Sequence, residues 1–273
     1  MSITYDPADG YTVTDCQTVR AGIGDFSAHN SDRAVNKITS LLRKKNIESL
    51  ALSLKTRRFF PLATVTSRDI TDRAFATHCK AEAALLLNRP SEYLHDQVPY
   101  PFIPAQDSVS RHLLFYYPSE PFETVHEKLR SYCSIKSGTH YLRPTILSIA
   151  ASFQPFILLE LEREYVTFSR VNNGQLEYFS YWKLNHDSDA VYFPLRELTS
   201  FLQNSYPVYI TGTLSSEKSL TENISRSSGI TLHTFSLVDL FSIRRNVRSS
   251  CNSPLELNAL STALMSIIDD GPL

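Results

Sequence analysis

Two carboxylates stand one residue apart in Glu160-Leu161-Glu162, at the end of the apolar run Phe156 to Leu159. On a strand, residues i and i+2 point to the same face, so both acids can meet one ligand from one side. A divalent cation is one such ligand. An acid and base pair of the glycosidase kind is another chemistry for two carboxylates, but it needs a separation that the fold must set. The simplest reading makes them hairpin-end or groove-lining side chains. Other reactive types are scattered. Gly22-Ile23-Gly24 lacks the lysine and hydroxyl of a P-loop and the third glycine of a dinucleotide fingerprint, so it reads as a turn into a helix. His78 is a lone histidine on an expected helix face and reads as packed or half-exposed. No G-x-S-x-G occurs, and no cysteine has a recognisable histidine partner. Cys16, Cys79, Cys133 and Cys251 form no zinc spacing and suit buried thiols in a reducing compartment.

The acids need a frame, and the stretch Pro155 to Tyr181 supplies it. Its spacing predicts three strands: Phe156–Leu159, buried on both faces, then Tyr165–Val171 and Gln175–Tyr181, joined by Asn172-Asn173-Gly174, residues that tolerate positive φ. Before it, strand character appears at Ile3–Tyr5 and Tyr11–Val19, with Asp9-Gly10 between them. Helices are predicted over Ser31–Asn46, with Val35, Ile38, Leu41 and Leu42 inward and Arg43, Lys44 and Lys45 near its negative end, and over Ser67–Asn88, with Ile70, Ala74, His78, Ala81 and Leu85 on one stripe and Phe75 and Leu86 beside it. Ser49–Leu54 and Ser108–Tyr117 read as strands, with a proline-marked extended segment between Pro90 and Pro104. Ser119 reads as the cap of a helix burying Phe122, Val125, Leu129 and Tyr132, and a shorter helix covers Arg143–Phe153. After the three strands come a helix at Pro194–Leu202, a strand at Val208–Thr211 stopped by Gly212, a helix at Ser216–Ser228 closed by Gly229, and a strand at Ile230–Phe235. Ser253-Pro254-Leu255-Glu256 is a capping box for a last helix burying Leu257, Leu260, Leu264 and Ile267. The two halves end in similar element orders, as a diverged duplication would.

The totals are those of an ordinary globular α/β protein, since 42% of the 273 residues are hydrophobic and 20% charged. With 27 basic and 28 acidic side chains the formal charge is −1, so no broad field favours nucleic acid or an anionic membrane surface. Arg244, Arg245 and Arg248 form the one local basic cluster that stands out, and they read as a solvated face. No window is apolar enough to span a membrane and the N-terminus has no leader pattern, which places the chain in the cytoplasm.

Three segments carry a resemblance. Val19-Arg20-Ala21-Gly22-Ile23-Gly24-Asp25, Lys80-Ala81-Glu82-Ala83 with Pro90-Ser91-Glu92-Tyr93-Leu94-His95-Asp96, and Pro207-Val208-Tyr209-Ile210-Thr211-Gly212 resemble the actin-like superfold, and within it the PilM and GspL families of type IV pilus and type II secretion assembly proteins. That resemblance implies a two-lobed α/β actin-like fold. The first lobe would cover 1–150 with a small inserted α+β subdomain at about 49–117, and the second lobe 151–273. ATP-binding members carry D-x-G at each phosphate loop. Here Glu160-Leu161-Glu162 stands at the second of these, and Gly212-Thr213 replaces a glycine pair at the adenosine turn. The resemblance therefore implies a pseudo-ATPase without catalytic residues, cofactor or metal. It would be a PilM-like cytoplasmic scaffold for protein–protein interaction, held at the inner membrane through a membrane-anchored partner whose short peptide tail it binds beside the inserted subdomain. It would bind no nucleic acid and insert in no membrane. The alternative is an actin-like ATPase with atypical loops, in which Glu160, Glu162, Gly212 and Thr213 bind ATP and Mg, or an actin-like protein with a duty unrelated to pili.

Overall fold

The computed structural model describes residues 2–6, 10–15, 31–47, 49–53, 58–101, 108–138, 141, 143–151, 154–201, 206–235, 242–243 and 254–265. In chain order the elements are β1 (Ser2–Asp6), β2 (Gly10–Asp15), α1 (Ser31–Lys44), β3 (Ser49–Leu52), β4 (Phe60–Ser67), α2 (Asp72–Leu86), β5 (Tyr93–Pro99), β6 (Val109–Pro118), α3 (Glu120–Leu129), β7 (Ser134–Ser137) and α4 (Arg143–Ala151). They continue with β8 (Phe156–Leu161), β9 (Tyr165–Asn172), β10 (Gln175–Lys183), α5 (Asp189–Ser200), β11 (Val208–Thr211), α6 (Lys218–Ser228), β12 (Leu232–Thr234), β13 (Ser242–Ile243) and α7 (Pro254–Met265). The segment Val19–Asp25, the cysteines Cys16 and Cys251, the arginines at 244, 245 and 248, the capping serine Ser253 and Ile267 lie outside the described residues.

The central sheet runs β10-β9-β8-β11-β12, antiparallel through the three expected strands and parallel from β8 onward. Asn173 and Gly174, at φ 48° and 77°, make the tight turn that their types suggested. All six residues of β8 are buried because both faces are covered. Phe156 and Leu158 pack toward α4 and α7 with Ile146, Leu257 and Leu260, while Ile157, Leu159 and Leu161 pack toward α5 and α6 with Leu198 and Ile224. That alternation sends Glu160 to the α4 side. The C-terminal part of the chain returns to its beginning: β13 pairs in parallel with β2, and α7 contacts α4, β1 and β3.

The inserted unit is the antiparallel sheet β4-β6-β5 under α2. β3 pairs in parallel with β7 instead. Several expectations need correction here. Phe60–Ser67 is a strand that the pattern did not reveal, since Pro61 and alternate Ala63 and Thr64 blur its period. The helix starts at Asp72 with Thr71 as its cap, and its buried face is Phe75, Cys79 and Ala83; Leu85 of the expected stripe and Leu86 beside it are exposed. Phe75 was the better anchor because a helix buries its largest ring where the sheet offers Leu114 and Tyr116. Ser119 heads α3 through its backbone carbonyl, without a side-chain bond, and Tyr132 falls beyond the helix and is 38% exposed. α5 begins five residues before Pro194, with Asp189 accepting from the amides of Asn185 and His186 at 2.9 and 3.0 Å, so proline sits inside the helix and not at its start. No helix among the described residues is long and apolar enough to cross a membrane.

Candidate functional site

Glu160, Glu162, Gly212 and Thr213 meet at one end of the central sheet. β8 and β11 run in parallel with Glu160 opposite Thr211, so the residue after β11 lies beside Leu161. Gly212 has φ +95°, and a Cβ there would stand 2.3 Å from the Leu161 carbonyl oxygen. Only glycine admits that approach, and what approaches is the chain's own backbone. The next residue donates from Thr213 Oγ1 to Glu162 Oε2 at 2.6 Å, while the Glu162 amide donates to the Tyr165 carbonyl at 3.0 Å and closes the β8–β9 turn. Ser215 Oγ donates back to the Gly212 carbonyl at 2.7 Å, tying the short turn of 3-10 helix Thr213–Ser216 to the strand end.

Glu160 faces the α4 side of the sheet and is 1% exposed. There Arg143 Nη2, from the first residue of α4, approaches Glu160 Oε2 at 2.6 Å. Thr167 Oγ1 donates to the same oxygen at 3.3 Å, and the Tyr165 hydroxyl donates to Oε1 at 3.1 Å. Both carboxylate oxygens therefore accept from the protein itself, and the guanidinium supplies the counter-charge that a buried carboxylate requires. Burial, and next the Glu160 charge, push the Tyr165 and Tyr141 hydroxyls well above tyrosine's ordinary value, which keeps Tyr165 a neutral donor. Arg143, Tyr165 and Thr167 were not singled out from sequence. One signal could have found the first: a strand reading Phe-Ile-Leu-Leu-Glu-Leu, buried on both faces, demands a cation, and Arg143 heads the apolar stretch that precedes it.

Chemically, this arrangement has charge but little freedom. Glu160 has no unoccupied oxygen to offer a cation, and Glu162 is 5% exposed and already bound to Thr213. Among the described residues no group of three or more His, Cys, Asp or Glu is placed to hold a metal. Burial raises the Cys79 thiol to about 11 and also raises Cys133, so neither described cysteine is an activated nucleophile.

The inserted unit carries a second polar group. Thr64 Oγ1 is 2.7 Å from His78 Nε2 and donates to Glu82 Oε1 at 3.0 Å, and Thr66 Oγ1 is 3.2 Å from His112 Nε2. His78 is thus a half-exposed side chain bound across to the sheet. These residues line the border between α2 and β4. The outer edge of β4 has no strand beside it among the described residues, and Phe60 and Val65 of β4 and Leu85 and Leu86 of α2 are exposed, Val65 on the face turned away from α2.

No protein-family model matches the chain, and no curated protein does. Solved structures do resemble it. A chain of the PilM-PilN type IV pilus biogenesis complex superimposes with a TM-score of 0.66 at 14% identity, over 89% of this chain and 87% of that one. A Bacteroides thetaiotaomicron protein with an actin-like ATPase fold gives 0.46 at 13% identity, over 86% and 83%. The cytoplasmic domain of EpsL, an inner membrane component of the Vibrio cholerae type II secretion system, gives 0.39 at 11% identity, over 86% and 80%. The last two likenesses are too weak to argue from. The first shows the fold, the actin-like α/β architecture with an inserted unit that the sequence resemblance implied.

Proposed function

We propose that the protein is a non-catalytic actin-fold scaffold that binds a short peptide tail of a membrane-anchored assembly partner beside the inserted unit. The observation that carries the first half is the internal closure of the site. Glu160 is neutralised by Arg143 where a nucleotide's phosphates would need open amides and a cation, and the space over Gly212, at the turn that would face an adenosine, is filled by the Leu161 backbone. The second half is supported by the likeness to a chain of the PilM-PilN complex and by the edge of β4, which no strand covers among the described residues and which exposed apolar side chains accompany, so that an extended segment can add to it.

Two measurements test the halves separately. Calorimetry with Mg-ATP is expected to give no saturable heat; micromolar binding would establish the ATPase alternative. Affinity capture of inner-membrane assembly proteins is expected for the wild-type chain and to be lost in Val65→Asp/Leu86→Glu, two exposed positions whose replacement leaves the core intact. Capture unchanged by that double substitution would place the partner elsewhere and refute the surface.

A further inference from the structure

A net charge of −1 hides a local concentration of cations. β3 and β7 pair in parallel, Ser49 opposite Ser134, so the turn after α1 and the turn after α3 lie side by side. Each turn follows a helix C-terminus and each is basic: Arg43, Lys44 and Lys45 on one, Arg130 on the other, all exposed. Tyr132 joins them, 38% exposed, with the Arg43 guanidinium 5.0 Å from its ring centroid. Lys45 is 3.5 Å from Asp15, whereas Arg43, Lys44 and Arg130 have no carboxylate partner among the described residues. One cation at a helix end complements that helix's dipole. Here two ends come together, with one exposed aromatic ring beside the Arg43 guanidinium.

We propose that these paired turns are a contact surface for anionic phospholipid headgroups. Complementary charge selects the class of ligand, and the form of the patch selects the membrane. Single-stranded nucleic acid is held in a groove with cations and stacking rings along a track. This patch is instead a pair of adjacent helix-end turns with exposed cations and one exposed tyrosine, and tyrosine prefers the headgroup level of a bilayer. Each basic side chain near an anionic surface strengthens partition by about fivefold, so the three that face no carboxylate give on the order of 100-fold. Alone that makes a weak, reversible attachment. The inference does not depend on the peptide reading: it would hold whichever partner the inserted unit takes.

The test is co-sedimentation of the full chain with phosphatidylcholine vesicles, with and without about one-third phosphatidylglycerol, at low salt where the Debye length is about 15 Å or more. Binding is expected only to the anionic vesicles and to vanish near 1 M salt, where that length falls to about 3 Å. Arg43→Glu/Arg130→Glu is expected to weaken it by more than about 20-fold, four charges being changed. Arg73→Glu/Lys80→Glu changes net charge equally on the exposed face of α2 and is expected to retain binding. Thermal melts confirm that both variants fold. The proposal is overturned if wild type stays in the supernatant, if it sediments equally with neutral vesicles, if both double variants lose binding alike, or if a short DNA duplex displaces it from vesicles at equal phosphate concentration.

Discussion

Replacing Arg143 by methionine isolates the interaction on which the closed site rests. The substitution keeps most of the side chain's apolar length but removes the cation 2.6 Å from Glu160, leaving a carboxylate that is 1% exposed, with Tyr165 and Thr167 still donating but without its counter-charge. Breaking a buried pair on one side costs about 3–5 kcal/mol, because the remaining charge is uncompensated. For a chain of this size that amounts to a fall in melting temperature of about 10 °C. Glu160→Gln strands Arg143 in the same way and is expected to cost a similar amount. Arg143→Met/Glu160→Gln, which removes both charges and keeps an acceptor for Tyr165, is expected to return to within about 2 kcal/mol of wild type. Urea denaturation of the four proteins closes the cycle. A cost below about 1 kcal/mol for Arg143→Met, or a double variant as unstable as the sum of the singles, would refute the reasoning: the pair would then be solvated or uncoupled, and the site open to a ligand.

Two glycines at positive φ should behave differently. Gly212→Ala meets the Leu161 backbone at 2.3 Å and is expected to cost more than about 3 kcal/mol, whereas Gly229→Ala has nothing within 4 Å and is expected to cost about 1 kcal/mol for its left-handed backbone alone; denaturation midpoints decide. The inserted unit should loosen in acid. Burial, and then His78, hold His112 below histidine's ordinary value, and burial, then Lys80, do the same for His95. A folded value below the unfolded one gives stability that is fully present above about pH 6.5 and lost as pH falls toward the folded values. The protection factors of β5 and β6 amides, which correct for the intrinsic slowing of exchange in acid, are expected to fall over that range, and His112→Gln to reduce the effect; equal protection factors at pH 7.5 and 5 would contradict it. In the core between α7 and α4, Leu260→Ala is expected to cost about 2–5 kcal/mol in the same denaturation assay, since Leu260 is wholly buried there.

What was legible in the sequence follows from how local each cause is. The β9–β10 turn at Asn173-Gly174, the left-handed Gly229 and the four-residue strand before Gly212 each depend on conformations that one or two residue types prefer, and each stands where its types suggested. Phe60–Ser67 failed the same kind of reading because its two faces differ only after β6 and α2 are in place: Thr64 and Thr66 turn inward to His78 and His112 while Val65 stays outside. The site divided in the same way. Glu160, Glu162, Gly212 and Thr213 are linked by the adjacency of two parallel strand ends, which the resemblance supplied. Arg143 joins Glu160 across 17 residues through the packing of α4 on the sheet, and no periodicity within either segment encodes that contact.

The border between the inserted unit and the central sheet bears on whether the molecule can work as a clamp. Opening about a hinge needs a boundary with few buried apolar contacts. Here Phe59, just before β4, lies with its ring centroid 3.8 Å from Tyr141 and 5.1 Å from Tyr181, and Phe115 of β6 meets Phe179 of β10 edge-on at 5.2 Å. Phe59, Phe115, Tyr141 and Phe179 are all buried and belong to the core that also holds Leu158 of β8 and Leu260 of α7. Moving the inserted sheet away from β10 would expose these rings together, each of which buries about 150–250 Å². A device that cycles with nucleotide would keep such a border weak. Rings shared between the inserted unit, Tyr141 ahead of α4 and the central sheet instead hold β4 in a constant position relative to the closed end of β8. A scaffold gains from that rigidity, because a peptide added to a preformed edge loses less ordering free energy than one that must first assemble its site.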